Sequence, residues 1–530
     1  MRGIRGSDGG SAKPTRRAVL AASGLGVAAA VVPAAPAAAA GRAAPGGVRR
    51  TSRRADGSYR AEYHFTVPDQ WMNDPQRPIW IDGEYHYYYL YNPDYFTGGP
   101  PGTAWRLATS TDLVSFRDRG IAVPKTTPIG DVWSGCAVVD TGNTAGLGPG
   151  AVVVVATADP GNSQAQYLFS STDDGRSFTP YGTGPVLPNP GVVDFRDPKI
   201  IRDEERGRWV MVLAENNKLG FYHSPDLKSW TYVGGFIKDG VGVFECPDLF
   251  RITAADGTAR WVLGASANGR AAGLPNTYAY WTGAFDGTTF TPDAPDPQWL
   301  DHGFDWYAAV TFDRHRADGS VDPATRYAIG WMNNWAYAGI TPTIDSDGFN
   351  GTDSIVREIT LRRDAAGTLY LASRPVAGLD EHVSRTVALG DLRVEGNLPL
   401  DYRGTAYELS TEITWDQLTG AGMQLRRSAD GARHIDAGIW ADYAFVNRGG
   451  VANPDQSGTM WESRSPFDPA ARRVTMRVLV DRTTVEVFFD DGRYTHSLEA
   501  FPYLTDTGLA LFAVDGPAVF RNTVIREFTV

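Results

Sequence analysis

Cysteine is nearly missing from this chain: Cys136 and Cys246 are the only two in 530 residues, too few for a disulfide framework. Two buried, unpaired thiols are expected, because free cysteine packs as a small hydrophobe. Histidine is scarce as well, at eight, and no His-Glu-x-x-His spacing occurs, so no feature calls for a metal or an organic cofactor. Basic charge is in deficit, with 50 Lys and Arg against 61 Asp and Glu, and much of it lies in the first fifty residues. The rest is more acidic than the net −11 suggests, which argues against a nucleic acid partner. The one long apolar run, Ala18 to Val32, is alanine-rich and is followed by Pro33 and Pro36, which speaks against a membrane span.

That run is preceded by Thr15-Arg16-Arg17 and followed by the small residues Ala37 to Ala40. Residues 1–40 therefore read as a signal segment, the paired arginines suggesting twin-arginine export and secretion, with an ordinary secretory signal as the alternative. Residues 41–58, rich in Gly, Ala and Arg, read as a flexible leader. The remainder is too long for one core. It is rich in Gly (59), Pro (34) and Tyr (23), as expected of short aromatic strands joined by many turns.

A turn motif repeats through residues 59–378. Ser110-Thr111-Asp112 is followed by Phe116, Ser171-Thr172-Asp173 by Phe178, and Ser224-Pro225-Asp226 by Trp230. A weaker copy is Asp286-Gly287 with Phe290; successive aspartates lie 61, 53 and 60 residues apart. The aspartate can bond its own turn while the aromatic packs between sheets, which makes the repeat one hairpin per blade of an all-β propeller of about five blades of roughly 60 residues each. Residues 379–530 lose the motif and show simple alternation, as in Val474, Met476, Val478 and Val480, then Val485, Val487 and Phe489, with Asp491-Gly492 as a turn: a C-terminal β-sandwich.

Three acidic segments carry the chemistry: Trp71-Met72-Asn73-Asp74-Pro75, Phe195-Arg196-Asp197-Pro198 and Phe244-Glu245-Cys246-Pro247. Each places a carboxylate at the end of a β-like apolar run, one or two residues before a proline. Singly, each is a turn acid. A radial fold gathers them at one axis, where one carboxylate attacking or stabilising an oxocarbenium-like centre and another protonating the leaving oxygen is the chemistry of glycoside hydrolysis.

These motifs, in this order, together with Asp131-Val132-Trp133-Ser134-Gly135 and the stretch from Leu479 to Gly492, resemble glycoside hydrolase family 32, the invertase, inulinase and levanase family. The resemblance runs from about residue 62 to the C-terminus. It implies a five-bladed propeller joined to a sandwich, and fructofuranoside cleavage with retention. Asp74 is then the nucleophile, Glu245 the general acid/base and Asp197 the transition-state stabiliser, with Asn73, Trp133, Ser134 and Arg196 lining the fructosyl pocket. Arg196 is expected to keep Asp197 ionised.

Departures narrow the substrate. The chain reads Asp74-Pro75-Gln76-Arg77-Pro78 where Asp-Pro-Asn-Gly is common, and has Leu90 and Cys136 where Gln and Ser are usual. With the segments Thr277 to Gly283, Trp306 to Ala309, Trp331 to Trp335 and Asp347 to Gly351, it resembles the levan-active branch, so the expected partner is a β-2,6-fructan. Trp306, Tyr307 and Trp335 are candidate substrate contacts, with blade-core packing as the alternative. Hydrolysis to levanbiose or fructose is favoured over internal transfer to a difructose anhydride, because Asn73 follows the hydrolase pattern. A sialidase, suggested by the aspartate-box look of Ser171 to Phe178, and a non-catalytic fructan binder are further alternatives.

Overall fold

The computed structural model describes residues 57–161, 163–451 and 460–530, all in one compact unit. The expected signal and nearly all of the leader lie outside the described residues. Ser58, at the leader's end, is tied down: its carbonyl accepts from Arg482 Nη1 at 2.8 Å.

Five antiparallel sheets follow one another, each made of consecutive strands. Their first three strands are Gln70–Pro75, Glu84–Asn92 and Ala104–Ser110 in blade I; Val132–Asp140, Ala151–Ala158 and Ala165–Ser171 in blade II; Arg196–Asp203, Arg208–Glu215 and Lys218–Ser224 in blade III; Phe244–Thr253, Ala259–Ala267 and Tyr278–Phe285 in blade IV; Tyr307–His315, Val321–Trp331 and Arg357–Arg363 in blade V. The ring closes where Phe349–Asn350 pairs in parallel with Gln70–Trp71. This is a five-bladed propeller.

Each second strand is covered on both faces, which is why it reads as a continuous apolar run instead of an alternating one. In blade II, Val152 and Val154 pack with Trp105 and Leu107 of blade I, whereas Val153 and Val155 pack with Met211 and Leu213 of blade III. Blades III and IV, IV and V, and V and I share equivalent clusters. The turn repeat does what its residues dictate. Asp112, Asp173 and Asp226 each accept their serine's hydroxyl and two backbone N–H groups of the turn. A fifth copy is present in blade V, where Asp364 accepts from Ala366 N and Thr368 N; it lacks both serine and aromatic.

The C-terminal part is a two-layered sandwich whose layers share one long strand, Gly508–Phe528. Up to Val514 it pairs with Gly420–Arg427, and from Ala518 with Tyr407–Trp415. The change of layer falls at Asp515 and Gly516, both at positive φ; a Cβ on Gly516 would lie 2.0 Å from Gln417 O. The alternating set Val474 to Phe489 faces the sandwich core. Leu479 and Phe488 point the other way, into a cluster with Tyr63, Tyr85 and Tyr87 of the propeller side. His64, Asp481, Glu486, Arg357 and Asp301 form an ion cluster in that interface, all without solvent-exposed side-chain surface.

Candidate active site

Every inner strand slips register near its start: between Met72 and Pro75, Val132 and Gly135, Arg196 and Lys199, Glu245 and Asp248, and Tyr307 and Val310. A bulge frees its residues from the ladder and re-aims their side chains. Here it frees Asn73 and Asp74, Trp133 and Ser134, Asp197 and Cys246. Asp197 (φ 64°), Cys246 (φ 47°) and Ala308 (φ 48°) are held left-handed, a strain that concentrates at functional sites and costs on the order of 1–3 kcal/mol each.

Around Asp74 the contacts are dense. Ser134 Oγ donates to Oδ2 at 2.6 Å and Asn73 Nδ2 to Oδ1 at 3.0 Å; Asn73 in turn accepts from the Trp71 indole at 3.0 Å. Gln76 donates to the Asp74 carbonyl and to Ser134 Oγ, and accepts from Gly135 N at 2.8 Å. Cys246 lies between two of the acids: its Sγ is 3.7 Å from Asp74 Oδ2 and 3.8 Å from Asp197 Oδ2, and its N–H donates to Asp197 Oδ2 at 3.0 Å. Asp197 N donates to Thr157 Oγ1. Glu245, beside Cys246, receives Arg196 Nε and Nη2 on Oε1 and the Tyr307 hydroxyl on Oε2. The acidic motifs thus meet at one end of the axis. Both cysteines are buried and free, as the sequence suggests.

Electrostatics separates the carboxyls. Burial pushes Asp74 up; the Ser134 and Asn73 hydrogen bonds pull it back, and the Glu245 charge adds to the rise. Asp197 is pushed up to about 7 by burial and by its acidic neighbours, in spite of Arg196. This corrects one expectation. The Arg196 guanidinium donates to Glu245 and Asp194, so its hydrogen bonds are spent on other carboxylates and Asp197 is not kept low.

The remaining candidates divide. Trp133, half-buried, donates its indole N–H to Asp131 Oδ2 at 2.9 Å beside Ser134. Tyr307 is buried and touches the site through its hydroxyl. Trp335 is 43 % exposed and lies against Trp71 and Trp331, with centroids 6.3 and 4.9 Å away. Trp306 departs from expectation. It is fully buried, with its indole N–H on Ser354 Oγ and the Arg357 guanidinium 4.3 Å above its ring, so it is core and offers no face to a ligand. Gln76, Arg77 and Asp194 were not among the sequence candidates. The signal for the first two was present: two consecutive polar residues directly after the inner strand that ends at Pro75, both buried by the propeller.

A propeller axis ringed by carboxylates, one next to a hydroxyl and amide donor pair and another between an arginine and a tyrosine, belongs to the glycosidases. Comparison with known proteins narrows this. Residues 64–373 match the glycosyl hydrolases family 32 N-terminal domain and residues 379–529 the family 32 C-terminal domain, and the chain belongs to this family. It is 50 % identical over 486 residues to a levanbiose-producing levanase of Bacillus subtilis (strain 168), covering 91 % of this chain and 93 % of that one. It is 51 % identical over 401 residues to a levanbiose-producing levanase of Geobacillus stearothermophilus, covering 74 % of this chain and 100 % of that one. Among solved structures, the exo-inulinase of Aspergillus awamori superposes with a TM-score of 0.78 at 25 % identity, over 89 % of this chain and 98 % of that one.

Proposed function

We propose that the protein is a secreted, retaining hydrolase of β-2,6-linked fructan, acting on levan and releasing levanbiose. The observation that carries the reading is the convergence of Asp74, Asp197 and Glu245 from the inner strands of three blades. The substrate is supported by the two relatives at half identity, and export by the paired arginines before the apolar run Ala18 to Val32.

Asp74 is the nucleophile, oriented by Ser134 and Asn73, whose hydrogen bonds favour the anion that burial opposes. It attacks the anomeric carbon of a fructosyl unit while the glycosidic C–O bond breaks and Glu245 gives its proton to the departing oxygen. A water molecule then attacks the same carbon, surrenders a proton to Glu245, and releases Asp74 as carboxylate; two inversions leave the configuration retained. Asp197, fixed by the Cys246 N–H, faces the sugar as a partner for its hydroxyls and for the developing positive charge. Tyr307 and Arg196 hold the Glu245 carboxyl in place through the turnover.

Incubation with levan, with inulin and sucrose alongside, followed by mass analysis of the products tests this. Levanbiose as the main product from levan is expected. A dominant difructose anhydride, lighter by one water, overturns hydrolysis, and no release from levan overturns the substrate.

A further inference from the structure

Arg77 lies three residues after Asp74, and nothing in the proposed mechanism uses it. Its side chain is buried, and its guanidinium takes carbonyls from three blades: Gly135 O at 2.8 Å and Pro198 O at 3.4 Å through Nη1, and Pro247 O through Nη2. Each carbonyl belongs to the residue just after a site residue. Gly135 follows Ser134, the donor to Asp74. Pro198 follows Asp197, and Pro247 follows Cys246, which Glu245 precedes. Two of the three therefore close the left-handed bulges at Asp197 and Cys246.

Those bulges need an outside restraint. Their residues are out of the β-ladder, and proline cannot donate a ladder hydrogen bond at Pro198 or Pro247. Hydrogen bonds to Thr157 Oγ1 and Asp197 Oδ2 satisfy the N–H side of the two strained residues. Arg77 satisfies the carbonyl side, with a planar fork that reaches several acceptors at once. Its neighbour Gln76 does the same for blades I and II, bonding Asp74 O, Ser134 Oγ and Gly135 N. Lys199 pairs with Asp248 at 3.5 Å and Arg326 with Asp313, while Arg77 is hydrogen-bonded to neutral carbonyls and its charge helps hold Asp248 low. Burial and the charges of Asp197 and Asp74 push the Cys246 thiol well up, and the Arg77 charge offsets part of that rise; the thiol touches both Asp74 and Asp197.

We propose that Arg77 is a positioning residue for catalysis: one guanidinium at the propeller axis clamps the bulges of blades II, III and IV, fixing Ser134, Asp197 and Glu245 around Asp74. It acts through those residues and does not touch the sugar. The clamp deepens the fructan hydrolase reading and rests on it.

The test compares the full-length parent with Arg77→Lys and Arg77→Met on levan. Lysine keeps the charge and reaches fewer carbonyls; methionine keeps the stem alone. Expected are a fall in kcat of at least tenfold for lysine and at least a hundredfold for methionine, with KM within threefold. The acid limb of the kcat profile should move to higher pH in the methionine variant and stay in place in the lysine variant. Folding is followed by circular dichroism, and if the methionine variant does not fold, the lysine variant decides. A folded lysine variant with parental kcat, or a folded methionine variant with parental kcat and acid limb, overturns the clamp. A parent inactive on levan strikes the functional reading instead, so the two failures are told apart.

Discussion

Two sets of buried carboxylates in this molecule have been given opposite surroundings. At the interface between propeller and sandwich, Asp481 receives His64 Nδ1 and the N–H groups of Glu62, Tyr63 and His64, and Glu486 receives His64 Nε2, Ile355 N and the Arg357 guanidinium. Burial pushes both upward, yet these donors hold Asp481 below the usual range and Glu486 down to about 2. At the axis, Asp197 is buried and Asp74 partly so; both have fewer donors, Asp74 feels the charge of Glu245 and Asp197 those of Asp74 and Glu245, and both are raised. The interface spends its donors on fixing charge. The active site leaves that work partly undone, which is where a sugar ring with a developing positive charge gains most from entering.

The largest expected effect lies on the active-site side. Asp74→Asn removes the nucleophile and should lower kcat on levan by at least about 10⁴-fold; Glu245→Ala removes the proton donor and should cost roughly 10²- to 10⁴-fold. Asp74→Asn should not lower the melting temperature, because it relieves repulsion among the three carboxyls, whereas Glu245→Ala also strips Arg196 and Tyr307 of their partner and should lower it somewhat. Steady-state kinetics and thermal unfolding of both variants check this. A clear loss of stability in Asp74→Asn would place this acid with the interface set and collapse the contrast.

The interface offers the converse experiment. Burial draws His64 down, but hydrogen bonds to Asp481 and Glu486 and their charges prevail and raise it to about 9. Its cationic form therefore stabilises the folded state by an amount fully present below about pH 6.5 and lost as pH climbs through about 9, on the order of 3 kcal/mol. His64→Gln should destabilise the protein at pH 6 by a similar amount and flatten the decline in stability between pH 6.5 and 9, with kcat on levan kept within a few-fold. Thermal unfolding across that range tests it; a variant with the parental pH dependence would remove His64 from the account.

The same two regions mark how far sequence alone could reach. The acids of the axis are legible because each stands in a short local motif, and the family resemblance orders them. The blades are legible because a Ser-x-Asp turn and an aromatic recur, although Asp364 shows that the turn survives without either neighbour. The interface cluster is not legible: His64 and Asp481 are 417 residues apart, and nothing local marks either as a partner. Arg77 is hidden for a different reason, since its partners are backbone carbonyls that leave no trace in residue identity. Trp306 and Trp335 look alike in sequence, and only the fold separates them: the first is buried under Arg357 with its indole N–H on Ser354, the second stays exposed.

The smallest effect is also the finest probe of the contrast. Ser134 gives Asp74 one hydroxyl donor, which works against burial by favouring the anion. Ser134→Ala leaves the carboxylate with the Asn73 amide and the long Cys246 thiol contact, and one hydrogen bond to a charged group is worth about 1 kcal/mol or somewhat more. Asp74 should then rise further, moving the acid limb of kcat/KM to higher pH by roughly half to one unit. The sign follows from the role: catalysis needs Asp74 ionised, so activity is lost as pH falls through its pKa, and a raised pKa brings that loss earlier. Comparing kcat/KM of the two proteins from pH 4 to 8 reads the shift directly. An acid limb that stays in place, or moves to lower pH, would mean that Ser134 is not what holds Asp74 ready, and that the active site keeps its nucleophile charged as securely as the interface keeps Glu486.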